Sequence, residues 1–137
     1  MKNGDYAIYS IVGQFNYVSV NGTERDDILN VTAAGYDMTT TYYNIPGSMP
    51  STKHFSWNNS GNSSGLVFVD TEAIRTIWGL KRVDKYSYTE SSQTWYYFIG
   101  HETGYGMYRE DYQSGNNWMT WEIKETSISY NWEKNNA

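Results

Sequence analysis

The chain of 137 residues contains no cysteine and only two prolines. Without cysteine there are no disulfides, no thiol catalysis and no zinc site of the cysteine type. Charge is sparse as well. Asp, Glu, Lys and Arg make up 18% of the residues, against about 25% in an average globular protein. The balance is acidic, at −5, and the densest basic cluster is the dipeptide Lys81-Arg82. A nucleic-acid backbone needs a basic face, so nucleic acid is excluded as the expected partner.

Long apolar runs are missing too. None approaches the ~20 residues of a membrane span, so no membrane insertion is expected. The opening "MKNGDYAIYSIVG" lacks the apolar stretch of a signal peptide. The expected location is therefore cytoplasmic, or exported without a classical signal.

The usual signatures of catalysis are also absent. The sequence has no Gly-x-Ser-x-Gly elbow and no Ser-x-x-Lys. Its Gly-rich stretches at 60–65 and 100–106 have no Walker lysine. His54 and His101 have no neighbour at metal-ligand spacing. The paired carboxylates Asp26/Asp27 and Glu110/Asp111 are adjacent, and adjacent strand residues point to opposite faces. They do not make the facing pair that a glycosidase needs. Asp70 and Glu72 share a face only if a strand runs through Thr71. The expectation is a protein without catalytic residues, metal or cofactor.

What the chain does have is rings. Phe, Trp and Tyr are 18% of it, including 14 Tyr and 6 Trp. A core of this size uses roughly eight to twelve large rings, each burying on the order of 150–250 Å². The chain carries 24, so several must reach the surface.

Short alternating runs rich in β-branched and aromatic residues predict strands. Twelve are expected, at 6–12, 17–20, 28–32, 38–43, 54–57, 66–69, 73–80, 85–90, 94–100, 105–109, 118–124 and 127–132. Residues 71–83 are read as strand with one helical turn at most. Turn signals separate the runs at Asn21-Gly22, Gly61, Gly65, Gly104 and Ser114-Gly115-Asn116-Asn117.

Twelve strands divide into three groups of four. Shifting the chain by 46 and then by a further 42 superposes Tyr9, Phe55 and Tyr97, then Ile11, Trp57 and Ile99, then Tyr42, Tyr88 and Tyr130. The expected architecture is a single all-β domain over 1–137 with pseudo-repeats 5–50, 51–92 and 93–134, arranged as a β-trefoil. The opening "NGDYAIYSIVGQFNYVSVNG" resembles the first hairpin of small β-trefoil lectins and trefoil protease inhibitors. It shares Gly-Asp-Tyr, an aromatic and aliphatic strand, a glycine turn and then "YVSVNG". The resemblance covers about twenty residues. The Gln-x-Trp signature of the ricin-B type occurs only once, as Gln93-Thr94-Trp95, at the start of a repeat, so no binding residue is carried over. The alternative is a lipocalin-like up-and-down β-barrel, with its rings lining a cavity.

A ring set among Asn, Asp and Gly suits sugar recognition, because the apolar pyranose face packs on the ring while amides and carboxylates bond the hydroxyls. Three stretches have this make-up. They supply the candidate ligand-binding residues Trp57 and Asn58, then Tyr105, then Asp111, Tyr112, Asn116, Asn117 and Trp118. Trp118 and Trp121 have opposite strand parity, so one of them is expected to point away from the core. The expected function is carbohydrate binding by a lectin-like protein, its partner a neutral glycan or glycoprotein, with repeats or a homo-oligomer supplying avidity. Two alternatives stand beside it. One is a protein-binding inhibitor using the loop "NIPGSMPSTK" (44–53), and the other is a calycin-type barrel that carries a small ligand.

Overall fold

The structure, a computed structural model, describes residues 1–56, 65–102 and 106–128. These are all-β, with no helix among them, and nine strands follow one another along the chain. They are β1 (Tyr6–Phe15), β2 (Val18–Leu29), β3 (Gly35–Tyr43), β4 (Ser51–Ser56), β5 (Val67–Thr76), β6 (Gly79–Glu90), β7 (Gln93–Gly100), β8 (Met107–Ser114) and β9 (Asn117–Thr126).

All nine form one antiparallel sheet in the order β4-β3-β2-β1-β9-β8-β7-β6-β5. The first and last strands are therefore neighbours at its centre, and β4 and β5 are its edges. This is the up-and-down connectivity of the barrel alternative, but the sheet does not close. It is also not three groups of four strands. The spans 5–50, 51–92 and 93–134 hold three described strands each, and every pairing except β1–β9 joins neighbours in the sequence.

Among the described residues there are nine strands where twelve were expected, because some expected runs merge into longer strands; the last expected run, 127–132, lies mostly outside the described residues. Asn21-Gly22 reads as a hairpin turn, yet both residues sit within β2. Gly22 serves close approach instead. A Cβ there would lie 2.5 Å from the Tyr43 carbonyl and 2.5 Å from Ile45 Cδ1. The real first turn is Asn16-Tyr17, both with positive φ (50° and 66°). That matches a two-residue hairpin whose twist suits the flanking strands. Residues 71–83 contain no helical turn: β5 ends at Thr76, Ile77 and Trp78 make the bend, and β6 begins at Gly79 with φ 94°. Thr76 clamps that bend, its hydroxyl donating to the Gly79 carbonyl at 2.9 Å and accepting from the Trp78 amide at 3.1 Å.

Alternation sorts the side chains. Along β1, Ala7, Tyr9 and Ile11 are buried while their neighbours are not. With Ile28 of β2 and Ile123 of β9 they define a core face. The β7–β8 register shifts at Tyr108, between Met107 opposite Ile99 and Arg109 opposite Phe98. The Tyr108 ring is buried, edge-on to Trp78 with centroids 6.0 Å apart.

The opposite face carries a row of paired residues: Ser10, Glu122, Arg109, Phe98 and Lys85. Phe98 is buried as a member of the hydrophobic core cluster with Val83, Tyr108 and Ile123, and two cationic side chains also stand over its ring. Arg109 and Lys85 stand 5.3 Å and 5.4 Å from its centroid.

Candidate functional site

Two regions carry chemistry. The first is on the opposite face and contains four of the sequence-predicted residues, Asp111, Asn116, Asn117 and Trp118, with Tyr112 at its border. Trp118 pairs in register with Gln14 on one side and Gln113 on the other. It is 43% exposed, whereas Trp121 packs against the core cluster. The parity expectation holds: three residues along a strand reverse the direction of the side chain.

Trp118 separates two shallow depressions. One, of about 360 Å³, is lined by Tyr96, Asp111, Tyr112, Gln113, Met119 and Thr120 besides Trp118. The other, of about 330 Å³, is lined by Ser10, Val12, Arg109, Glu122 and Lys124, with Trp118 and Thr120 again. Asp111 is held rigidly beside the ring. Arg109 donates to it through Nε (2.8 Å) and Nη2 (3.1 Å), and Thr120 donates from its hydroxyl at 3.0 Å. A carboxylate offers about four lone-pair sites, so one remains for a ligand hydroxyl.

The β1–β2 and β8–β9 turns lie side by side at the end of this groove. The Asn117 side-chain carbonyl accepts from the Asn16 amide at 2.9 Å. Asn116 donates from Nδ2 to the Tyr17 hydroxyl at 3.2 Å, and its carbonyl accepts from Gln14 Nε2 at 3.3 Å. Tyr17 is 80% exposed with φ 66°, an outlier conformation for a bulky residue. Sequence reasoning missed Tyr17, which reads as the first residue of the strand 17–20.

The structure thus gathers Asp111, Tyr112 and Trp118 at one depression, with Asn116 and Asn117 at its rim. Tyr112 points its ring to the core face, tilted against Trp95 with centroids 5.3 Å apart. Trp57, Asn58 and Tyr105 lie outside the described residues.

The second region is on the core face. Register places Glu24 opposite Tyr9 and Asp26 opposite Ala7. Glu110 stands opposite Trp121 and Tyr97. Burial, then a hydrogen bond with Asp26, pushes the Glu24 carboxyl up to about 8, with Glu110 adding repulsion and the Trp121 indole N–H opposing it. Burial pushes Glu110 up to about 7, helped by Asp111 and Asp26. Asp26 is raised chiefly by burial. The Tyr42 hydroxyl is driven up to about 12, mainly by burial and then by Glu24 and Asp26. Glu110 also acts on Tyr42, although β3 and β8 are four strand spacings apart, roughly 19 Å in a flat sheet. The sheet therefore curls around this face.

The adjacent pairs split across the two faces as expected, but the signal that was available went unread. Glu24 and Asp26 are two apart and so share a face. Among the described residues, no group of three or more His, Cys, Asp or Glu is arranged to hold a metal.

The histidines each meet one aspartate. His54 Nδ1 lies 2.8 Å from Asp37 and His101 Nδ1 lies 2.7 Å from Asp84. The Thr71 hydroxyl donates to the same Asp84 oxygen at 2.7 Å. Asp84, not His101, is at the centre of this trio. A nucleophile is activated when histidine stands between it and the acid, so this trio fastens β5, β6 and the turn after β7 together. Asp70 and Glu72 do lie on one continuous strand, facing Lys85 and Val83, on the sheet's edge and not across a cleft.

No family model matches the chain, and no curated protein matches it.

Proposed function

We propose that this protein binds a neutral glycan on the face of its sheet around Trp118. The observation that carries the reading is the half-exposed indole between two shallow polar depressions, with Asp111 fixed beside it and the Asn116, Asn117 and Tyr17 turns at its rim. A pyranose stacks on the indole, its hydroxyls bonded by Asp111, Gln113 and the turn amides. The groove's charges pair internally, Arg109 with Asp111 and Lys124 with Glu122, so charge contributes little and an uncharged ligand fits best.

The test is a glycan-array screen with the labelled protein, followed by titration on intrinsic tryptophan fluorescence. Trp118→Ala is expected to lower affinity at least tenfold and to change stability by no more than about 0.5 kcal/mol, as an exposed position should. Trp121→Ala, by contrast, is expected to cost about 3 kcal/mol. An array silent across neutral and acidic glycans sinks the proposal.

Tyr17 supplies a second check. Glycine adopts its positive φ freely, so Tyr17→Gly is expected to raise stability by about 1 kcal/mol while weakening glycan binding. A variant both less stable and fully binding contradicts its assignment to the site.

A protein partner is the second reading, favoured by edge strand β5. Leu66, Val67, Phe68 and Val69 are consecutive and exposed at the sheet's margin, where an extended segment adds readily. A silent array together with a stable pulled-down protein supports this reading over the first.

A further inference from the structure

Resting on the glycan reading, we infer that the site takes a run of consecutive neutral sugar units laid across β7, β8, β9 and β1, with Trp118 under the middle of the run. Three observations carry this. The two depressions are nearly equal, at about 360 and 330 Å³, and Trp118 and Thr120 line both. They form one trough with a ring at its midpoint and not two unrelated hollows.

The trough also crosses strands. Tyr96 of β7 and Asp111 of β8 lie at one end, and Ser10 and Val12 of β1 lie beyond β9 at the other. Three strand spacings separate β7 from β1, roughly 14 Å, more than a single pyranose ring covers. Finally, each end offers fixed polar groups. Asp111 is locked by Arg109 and Thr120 at the first end, and Glu122 lies 3.4 Å from Lys124 at the second. A unit bound at either end therefore meets hydrogen-bonding partners without facing an unpaired charge.

The experiment is calorimetric titration of the intact protein with cello-, manno- and chito-oligosaccharides of one to six units. Affinity is expected to rise at least tenfold from one unit to three and then to level off. Val12→Asp, at the β1 end, is expected to reduce the affinity for the three-unit ligand to that for the single unit. A single sugar bound as tightly as its trimer overturns this inference and leaves the glycan reading standing. Failure of every series, with a silent array, overturns the glycan reading itself.

Discussion

Gly13→Ala is expected to abolish folding, or to leave a protein destabilised by about 4 kcal/mol or more, a loss large against a total of about 5–15 kcal/mol. Gly13 lies on β1, which is hydrogen-bonded on both sides, opposite Val20 of β2 and Met119 of β9. A Cβ built there would stand 2.1 Å from the Trp118 carbonyl oxygen and 2.8 Å from the Met119 Cα. Both are backbone atoms of a central strand, so no side chain can swing aside to make room. The added methyl also stiffens the unfolded chain, but that gain is only about 0.4–1 kcal/mol. Gly47→Ala is the control. Its φ is 76° and nothing lies within 4 Å of the added atom, so it should cost only the left-handed strain of about 1–2 kcal/mol. Chemical denaturation of both variants decides the matter. Equal losses at the two positions would show that the strand clash is not the cause.

Stability is expected to fall as pH rises from about 5 to about 8, and Glu24→Gln is expected to remove much of that fall. The folded state raises Glu24 from 4.5 to about 8 and Glu110 from 4.5 to about 7. Below pH 4.5 both are protonated in the folded and the unfolded chain, and their contribution is fully present. As pH climbs, the unfolded chain releases these protons first. The folded chain must hold them or bear buried charge, so stability drains away until pH passes the folded values. Each pKa unit corresponds to about 1.4 kcal/mol, and the cluster withdraws on the order of 5 kcal/mol over this window.

Asp37 and Asp84 act in the opposite sense. Asp37 is lowered by hydrogen bonds from Asn30 and His54. At Asp84 burial pushes upward, but hydrogen bonds from Thr71 and His101 outweigh it. Both contribute above pH 3.8, and that contribution is lost as pH falls through their folded values. The stability optimum is therefore expected at mildly acidic pH, below the window in which the Glu24 and Glu110 contribution is lost. Glutamine keeps the shape of the protonated side chain without its proton. Glu24→Gln should therefore gain on the order of 3 kcal/mol at pH 8, read as a Tm about 10 °C higher, and little at pH 4.5. Thermal melts that stay flat or rise from pH 5 to 8 would refute the buried cluster.

The protonated cluster and the groove also occupy opposite faces of one sheet. Glu110 and Asp111 are neighbours on β8, one in each region. The proposed binding and the stability can therefore be measured separately.

The sequence by itself determined what local chemistry controls. Alternating Tyr, Ile, Val and Thr made the chain all-β, because branched and aromatic side chains pack well on a pleated surface. The parity of Trp118 and Trp121 put one ring on each face, since the period of a strand is two. The run from Asp111 to Trp118 came together at one turn because those residues are close in the chain. Tertiary structure alone decided the rest. Asn21-Gly22 became the middle of a strand because Ile45 and Tyr43 approach that glycine from β3 and the loop after it. Expected runs merged into the longer strands β2, β5 and β6, and a single sheet formed with β1 and β9, the first and last described strands along the chain, paired at its centre. Glu24, Asp26 and Glu110 entered one electrostatic neighbourhood because the sheet curls, and no local pattern on β2 or β8 records what a curled sheet brings across from the other side.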